Sequence, residues 1–476
     1  MKHFVIMGGG ISGLSLAWFL KRRFQDSVNI TIIEAAPRVG GWISTHLDSD
    51  YLFEKGPRGF RPKAEGLSTL RLIEQLSLQD QVIEASADAG KRYLWKDDIL
   101  QKLPEGLFSL FTSPLTRHIP YRLIREVFTP PQIHHEDESI YNFVSRRFGH
   151  DVAEELFDPL TSGIFAGNIK KLSINSCFPY LREMESQYRS VTWGMMRHRS
   201  NKEALSPFAE EYSRAPLLSF KAGMETLPLA LQKQVEADIL LNKPVKSIDF
   251  HDDKAYIHLN GETIKADHIF STVSATALAN VLPEYCAKAI QLLNTMVSTS
   301  ICTVNVGFSH CCLPQKGFGY LVPSNQREEI LGMTWDSDMF PQQNQRLDET
   351  RLTVMIGGDH DIDFQQRDEG EFTAIALRAL KKHLNIHETP DEHCTQVNRY
   401  AIPQYYVGHK NKVNHIRNLL SHDTPFLSVL GKDFSNCGIN HCIANAEELV
   451  DHFIFLSKKS PPSTYKDSAK TSPQSI

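Results

Sequence analysis

The sequence predicts an α/β fold: a doubly wound parallel sheet that starts at the amino terminus, is interrupted twice and closes near the carboxyl terminus. Three observations predict it. Residues 3–7 form an apolar run that feeds Gly8-Gly9-Gly10-Ile11-Ser12-Gly13, with a helical pattern behind it. Residues 30–33 form a second strand-like run, which ends in Glu34. Far along the chain, residues 427–430 again read as a strand, entering Gly431, and residues 443–456 as a helix. Strands scattered in this way imply insertions into one domain.

The glycines carry the first chemical reading. Gly8, Gly10 and Gly13 fit the G-x-G-x-x-G spacing, in which one glycine makes the tight turn, one lets backbone approach a pyrophosphate and one lets helix pack on strand. The helix over residues 12–24 points its positive end at the anion. Glu34 stands about 20 residues further on, where a carboxylate accepts from a ribose and repels a 2′-phosphate. Arg38-Val39-Gly40-Gly41-Trp42 adds a second glycine loop beside a cation, which favours the longer, doubly charged FAD over NAD.

The remaining elements follow in order. Residues 67–76 have helical spacing. Residues 87–205 read mostly as helix broken by prolines, apart from an amphipathic strand-like run at residues 91–95 that holds Arg92, with a helix pair over residues 140–160 whose core is Phe143, Val144, Phe148, Val152 and Leu156. Within this stretch residues 107–128 interleave Phe108, Leu110, Phe111, Leu115, Ile119, Leu123, Ile124, Val127 and Phe128 with Arg117, Arg122 and Arg125. That pattern suits a kinked amphipathic segment at a bilayer interface or an internal helix face. Residues 227–235 read as helix, 239–250 and 265–272 as strands. Residues 302–308, 319–322, 330–335 and 351–356 also read as strands, with a helix at 371–383.

Bulk properties bound the partners. The chain has 476 residues, a formal net charge of −5 and an ordinary 41% of hydrophobic residues, so nothing points to nucleic acid. Eight cysteines form no C-x-x-C pair and suit a reducing compartment. Cys437, His441 and Cys442 lack a fourth ligand, so no metal is expected. The first strand begins at residue 3, which leaves no room for a signal peptide, and no apolar run reaches the ~20 residues needed to span a bilayer. His134-His135 and Asp359-His360-Asp361 read as solvated loops. The Ser/Pro/Lys-rich tail from Lys458 reads as disordered.

Several blocks carry a family resemblance: Gly40-Gly41-Trp42-Ile43, Phe53-Glu54-Lys55-Gly56-Pro57-Arg58-Gly59-Phe60-Arg61-Pro62, Ser162-Gly163-Ile164-Phe165-Ala166-Gly167-Asn168 and Gly317-Phe318-Gly319-Tyr320-Leu321-Val322-Pro323. On these blocks the chain resembles the protoporphyrinogen oxidases, within the flavin amine-oxidase and phytoene-desaturase superfamily, over nearly its whole length. Two places depart from the family pattern. Ala222-Gly223-Met224-Glu225 stands where Gly-Gly-Leu-Glu is usual. In Ser435-Asn436-Cys437-Gly438-Ile439-Asn440-His441-Cys442, Asn436 replaces a glycine and His441 an acid.

The resemblance implies a discontinuous Rossmann-like FAD-binding domain with an inserted α+β substrate domain and a mostly helical membrane-associated insertion. The expected segments are FAD-binding at 1–86, 206–290 and 405–457, helical and membrane-binding at 87–205, substrate-binding at 291–404, and a disordered tail at 458–476. Cofactor contacts are expected from Gly8, Gly10, Ile11, Ser12, Gly13, Glu34, Arg38, Gly40, Gly41 and Trp42. Gly56, Pro57, Arg58, Val245, Gly438, Ile439 and Asn440 complete the cofactor set. Arg92 is expected to pair with a substrate propionate, Phe318 and Leu321 to sandwich a pyrrole, Gly163 to lie along the macrocycle, and Met333 to complete the substrate contacts.

The implied reaction is the six-electron oxidation of protoporphyrinogen IX to protoporphyrin IX. Hydride would pass to the flavin N5 in each of three cycles, with molecular oxygen as acceptor. No side chain is assigned a catalytic role, since electron-rich pyrroles stabilise the cation left behind and placement suffices. Coproporphyrinogen III, an amine or a carotenoid precursor are alternative substrates, and an FAD-bound protein without turnover is the least favoured reading. The expected location is cytoplasmic, with peripheral attachment to the inner face of the cytoplasmic membrane, and a homodimer is left open.

Overall fold

The computed structural model describes residues 1–47, 50–104, 119–132, 136–198 and 205–459. The chain opens with β1 (Lys2–Met7), α1 (Ile11–Phe24) and β2 (Val28–Ile33). Phe4, Val5, Ile6 and Met7 are buried to 1% or less exposure, because strand β1 is sandwiched on both faces. Helix α1 ends on Lys21, Arg22 and Arg23, which suit the negative end of its dipole.

These elements belong to a five-stranded parallel sheet. Its order is Leu427–Val429, His268–Ser271, β1, β2 and Asp238–Leu240. Strand β1 therefore sits at the point where the order reverses, and ligands of doubly wound sheets bind outside the strand ends at such a point. The helix Ile439–Lys459 packs along α1 and closes the core through Ile443, Ala446 and Val450.

A second, seven-stranded sheet is built mostly from residues 298–403. Its order is Glu392–Pro403, Ser298–Phe308, Thr350–Gly357, Ile330–Trp335, Gly319–Leu321, Arg92–Lys96 and Ile99–Lys102. All neighbours are antiparallel except Gly319–Leu321 with Arg92–Lys96. The helix Glu369–Leu384 covers one face, its start fixed by a capping box between Asp368 and Glu371.

Three expectations are corrected. The strand-like run at residues 91–95 is a strand, but the hairpin Arg92–Lys96 and Ile99–Lys102 that it opens does not belong to the helical unit assigned to residues 87–205: it forms the edge of the seven-stranded sheet. Residues 239–250 are not one strand. Pro244 cannot continue a ladder, and Asp238–Leu240 and Ser247–His251 enter different sheets. Residues 265–272 likewise divide into Thr263–Ala266, part of a three-stranded antiparallel meander, and His268–Ser271.

The described part of the helical insertion includes Ile119–Val127, Ile140–Phe148, Asp158–Phe165, Pro179–Tyr188 and Val191–Arg197. Phe143 and Val144 are fully buried there, as the spacing predicts, and Val152 is buried with them. Inside it Arg147 is enclosed by Glu126 and Glu185, while Arg146 and Arg182 bind Glu138 and Glu185 at the margin. Phe108, Leu110, Phe111, Leu115 and Arg117, with His134-His135 and the tail beyond residue 459, lie outside the described residues.

Candidate flavin and substrate site

At the carboxyl ends of β1 and β2, two glycine loops lie side by side. Gly40 donates its N–H to Gly9 O at 2.9 Å, and Gly10 forms a parallel bridge with Gly40. Gly8 holds a φ of +105°, and a Cβ there would meet Thr272 Oγ1 at 2.6 Å. At Gly13 a Cβ would fall 2.0 Å from Gly8 O, which only glycine avoids. Gly10, by contrast, faces open space, with Gly41 Cα the nearest atom at 3.9 Å. Gly10 also starts α1 without any side-chain capping bond, so first-turn N–H groups of Ile11, Ser12 and Gly13 are left for an anion. The Cys442 thiol meets Ser12, which brings the first turn of Ile439–Lys459 to the same spot.

Glu34 holds this loop from below. Its Oε2 accepts from Gly9 N–H at 2.7 Å and its Oε1 from Ala36 N–H at 2.8 Å. Each oxygen keeps a second lone pair for a further donor. Val245 is half-buried beside this end of the sheet, packed on its apolar core.

Arg38 does not act as the free cation that its position suggests. Its Nη1 donates to the carbonyls of Val39 and Ile43, and its Nη2 to Gly41, with Glu225 at 3.6 Å. The guanidinium is a brace for the Gly40-Gly41 loop, because those carbonyls have no ladder to enter. Asn440 is similarly committed. It accepts from Thr69 Oγ1 and donates to Arg61 O, both at 2.7 Å. Gly438 N–H turns back to Asn436 Oδ1 at 3.1 Å, and His441 Nε2 lies 3.6 Å from Glu65.

The loop Gly56-Pro57-Arg58 runs under Trp42. A Cβ at Gly56 would lie 2.0 Å from Trp42 O, and Trp42 itself is 43% exposed. Arg58 Nε binds Asp336 Oδ1 at 3.0 Å, while Nη2 is buried with no partner among the described residues. Beneath it Glu54 is buried, accepting from Met224 N–H at 2.6 Å and Thr45 Oγ1 at 2.9 Å. Burial pushes its carboxyl up to about 7, only partly offset by those bonds and by Arg58.

Most residues expected to meet substrate converge on the paired strands Gly319–Leu321 and Arg92–Lys96 of the seven-stranded sheet. Arg92 pairs in register with Gly319, and its guanidinium covers the Phe318 ring at 5.1 Å. Leu321 stands against the helix Asp158–Phe165, where a Cβ on Gly163 would reach Leu321 Cδ2 at 2.6 Å. Gly163 thus brings helix backbone within touching distance of a leucine at this seam. Met333 is not brought there. It is opposite Tyr320 in the ladder, so it points to the other face and is fully buried in the core under Glu369–Leu384.

The sequence reading missed Thr272, Glu54, Asp336 and Arg61. Thr272 follows the last residue of a parallel strand, as Gly8 follows β1, and that symmetry was its one available signal. The others are defined by partners far away in sequence.

The open Gly10, the uncapped first turn of α1 and the orphaned Arg58 Nη2 fit a dinucleotide diphosphate carrying a ring between the two sheets. Fold and site define a flavin-dependent oxidoreductase with FAD as its cofactor. The chain belongs to the flavin containing amine oxidoreductase family, which matches residues 11–420. It is 32% identical to the protoporphyrinogen oxidase of Bos taurus over 465 residues, 93% of this chain and 96% of that one. It is 29% identical to the coproporphyrinogen III oxidase of Bacillus subtilis (strain 168), covering 94% and 97%. A crystal structure from Exiguobacterium sp. 255-15 shares the fold, with a TM-score of 0.81, 22% identity and coverage of 96% and 99%.

Proposed function

We propose that this protein oxidises protoporphyrinogen IX to protoporphyrin IX in haem biosynthesis, with molecular oxygen as acceptor. The observation that carries this reading is Arg92. It is a cation without a carboxylate partner among the described residues, laid over Phe318 at an apolar seam closed by Gly163 and Leu321. A flat, apolar macrocycle with carboxylate arms matches that arrangement. Similarity to the Bos taurus enzyme over almost the full length supports it.

FAD, when bound, supplies two-electron oxidation, so a six-electron change needs three rounds in one site. The chain's own residues bind and orient. Arg92 anchors a carboxylate, Phe318 and Leu321 hold a ring, and Gly163 admits the macrocycle edge. Gly8, Gly10 and Gly13 would cradle the diphosphate of the cofactor, and Glu34 would receive its ribose. Exclusion of water and fixed distance are the protein's contribution to rate.

Coproporphyrinogen III is the second reading, favoured by the Bacillus subtilis relative. Anaerobic addition of each porphyrinogen to the yellow protein distinguishes the two. Bleaching of the visible flavin band by protoporphyrinogen and not by coproporphyrinogen is expected. A band that neither compound bleaches ends the proposal.

Peripheral attachment to the cytoplasmic face of a membrane belongs to the same reading. Among the described residues no helix is long and apolar enough to cross a bilayer. Ile119–Val127 and Val191–Arg197 pack together and present Tyr121, Ile124, Phe128, Met195 and Met196 outward, with Phe128 81% and Met196 74% exposed. Such a patch lies naturally at a lipid interface. Flotation with anionic vesicles is expected, and Phe128→Ser with Met196→Ser should abolish it; a double variant that still floats removes this face.

A further inference from the structure

Arg92 has a second guanidinium as its neighbour. Arg61 follows Phe60, whose backbone exchanges both hydrogen bonds with Leu218 at 2.9 Å. The adjacent Leu217 packs in the same small apolar cluster as Phe318, and Phe318 is the ring that Arg92 covers. The chain path therefore delivers Arg61 to the edge of the same apolar patch. Its backbone is fixed there. Asn440 Nδ2 donates to Arg61 O at 2.7 Å, and that oxygen lies where a Cβ on Gly66 would be, 2.0 Å away.

The side chain is left exposed, and no carboxylate partners either arginine among the described residues. The two charges feel each other. Burial lowers the pKa of Arg92, and the charge on Arg61 lowers it further. Arg146, Arg147 and Arg351, by contrast, each have a glutamate in contact. An uncompensated pair of like charges beside an apolar seam is unfavourable until an anion joins it.

We propose that Arg61 and Arg92 form a two-pronged clamp that grips two carboxylates carried on one edge of the substrate. Arg92 takes the carboxylate nearer the Phe318 ring and Arg61 the one next to it. The clamp selects a macrocycle whose acidic arms are adjacent, and it fixes the rotation of that macrocycle in the seam. The inference deepens the proposed function and rests on it.

Equilibrium binding tests it with the flavin-loaded protein and three probes: protoporphyrin IX, its monomethyl ester and its dimethyl ester. Porphyrin fluorescence is the readout. Arg61→Ala and Arg92→Ala should each weaken the diacid roughly tenfold to a hundredfold, the range for a lost charge-assisted hydrogen bond. Both should leave the dimethyl ester unchanged. Arg61→Lys should restore most of the loss, and the parent protein should rank diacid over monoester over diester. In turnover, Arg61→Ala should raise KM with kcat retained. A parent that binds the diacid equally well as Arg61→Ala, or an Arg61→Ala that weakens diacid and diester alike, overturns the clamp alone. A parent that binds no porphyrin and whose flavin no porphyrinogen bleaches overturns the proposed function, and the clamp with it.

Discussion

Arg58 Nε donates to Asp336 Oδ1 at 3.0 Å, tying the loop beneath the flavin cradle to the end of a strand in the other sheet, 278 residues away. Asp336 also accepts from Thr334 Oγ1 at 3.0 Å and from Thr353 Oγ1 at 2.5 Å. Both partners of the ion pair are mostly buried, with side-chain exposures of 13% and 12%. The pair fastens the Gly56-Pro57-Arg58 loop to the seven-stranded sheet that carries Phe318 and Leu321.

Removing one member strands the other. Arg58→Ala should lower stability by about 2–4 kcal/mol, toward the range for breaking a buried pair, and Asp336→Asn should do the same. The double variant should cost less than the two losses added together. Urea denaturation checks the stability, and visible absorbance checks flavin retention. An Arg58→Ala protein with parental stability would show that the pair is incidental.

Gly13→Ala places a methyl group 2.0 Å from Gly8 O. The turn must open, and the first-turn N–H groups lose their aim. The expected product is folded but colourless, seen as a normal far-ultraviolet spectrum with no visible band. Retention of stoichiometric FAD by this variant would refute the assignment of the cradle.

Gly163→Ala crowds Leu321, whose Cδ2 lies 2.6 Å from the new methyl. Turnover of porphyrinogen should fall about tenfold or more while flavin content stays normal, since a displacement on the order of an ångström is costly at a reacting site. Leu321→Ala in the same chain should recover part of the rate. A Gly163→Ala enzyme with unchanged kcat/KM would move the macrocycle elsewhere.

Glu54 gives stability a pH slope. Its folded pKa, about 7, lies above the ordinary 4.5, so its contribution is complete below 4.5 and is lost as pH rises through 7. The shift corresponds to roughly 3 kcal/mol. His268 and His409 act in the opposite sense, since burial lowers each from 6.5 to about 4. Their contribution is present above 6.5 and is lost as pH falls toward 4. Glu54→Gln should therefore gain stability relative to the parent at about pH 8 and lose that advantage at about pH 5. Equal differences at both values would disprove the buried acid's role.

The sequence disclosed the cofactor half of the site better than the substrate half. The strand, glycine and helix order of residues 2–24 is local, so periodicity and turn chemistry both report it. The capped helix at Glu369–Leu384 was legible for the same reason. The strand Glu392–Pro403 escaped notice because it lies on the sheet edge, where its side chains are mostly half-exposed and show little alternation. Thr45–Leu47, Leu52–Glu54, Val82–Glu84 and Leu218–Phe220 have three residues each, too few for any period to register. Arg38 and Asn440 stand where a cofactor contact is expected, yet loop carbonyls and Thr69 occupy them. A one-dimensional pattern names a residue type and leaves its partner unspecified.

The parallel sheet needs a strand from residues 427–429 beside one from 268–271, and the helix from Ile439 must then fall against α1. A chain emerging from the ribosome holds the glycine loops long before the strand at residues 427–429 and the helix from Ile439 arrive to close the sheet beside them. Capture of the chromophore thereby waits for that helix to be made. Any product truncated ahead of that helix would leave the ribosome colourless and with the apolar face of α1 uncovered.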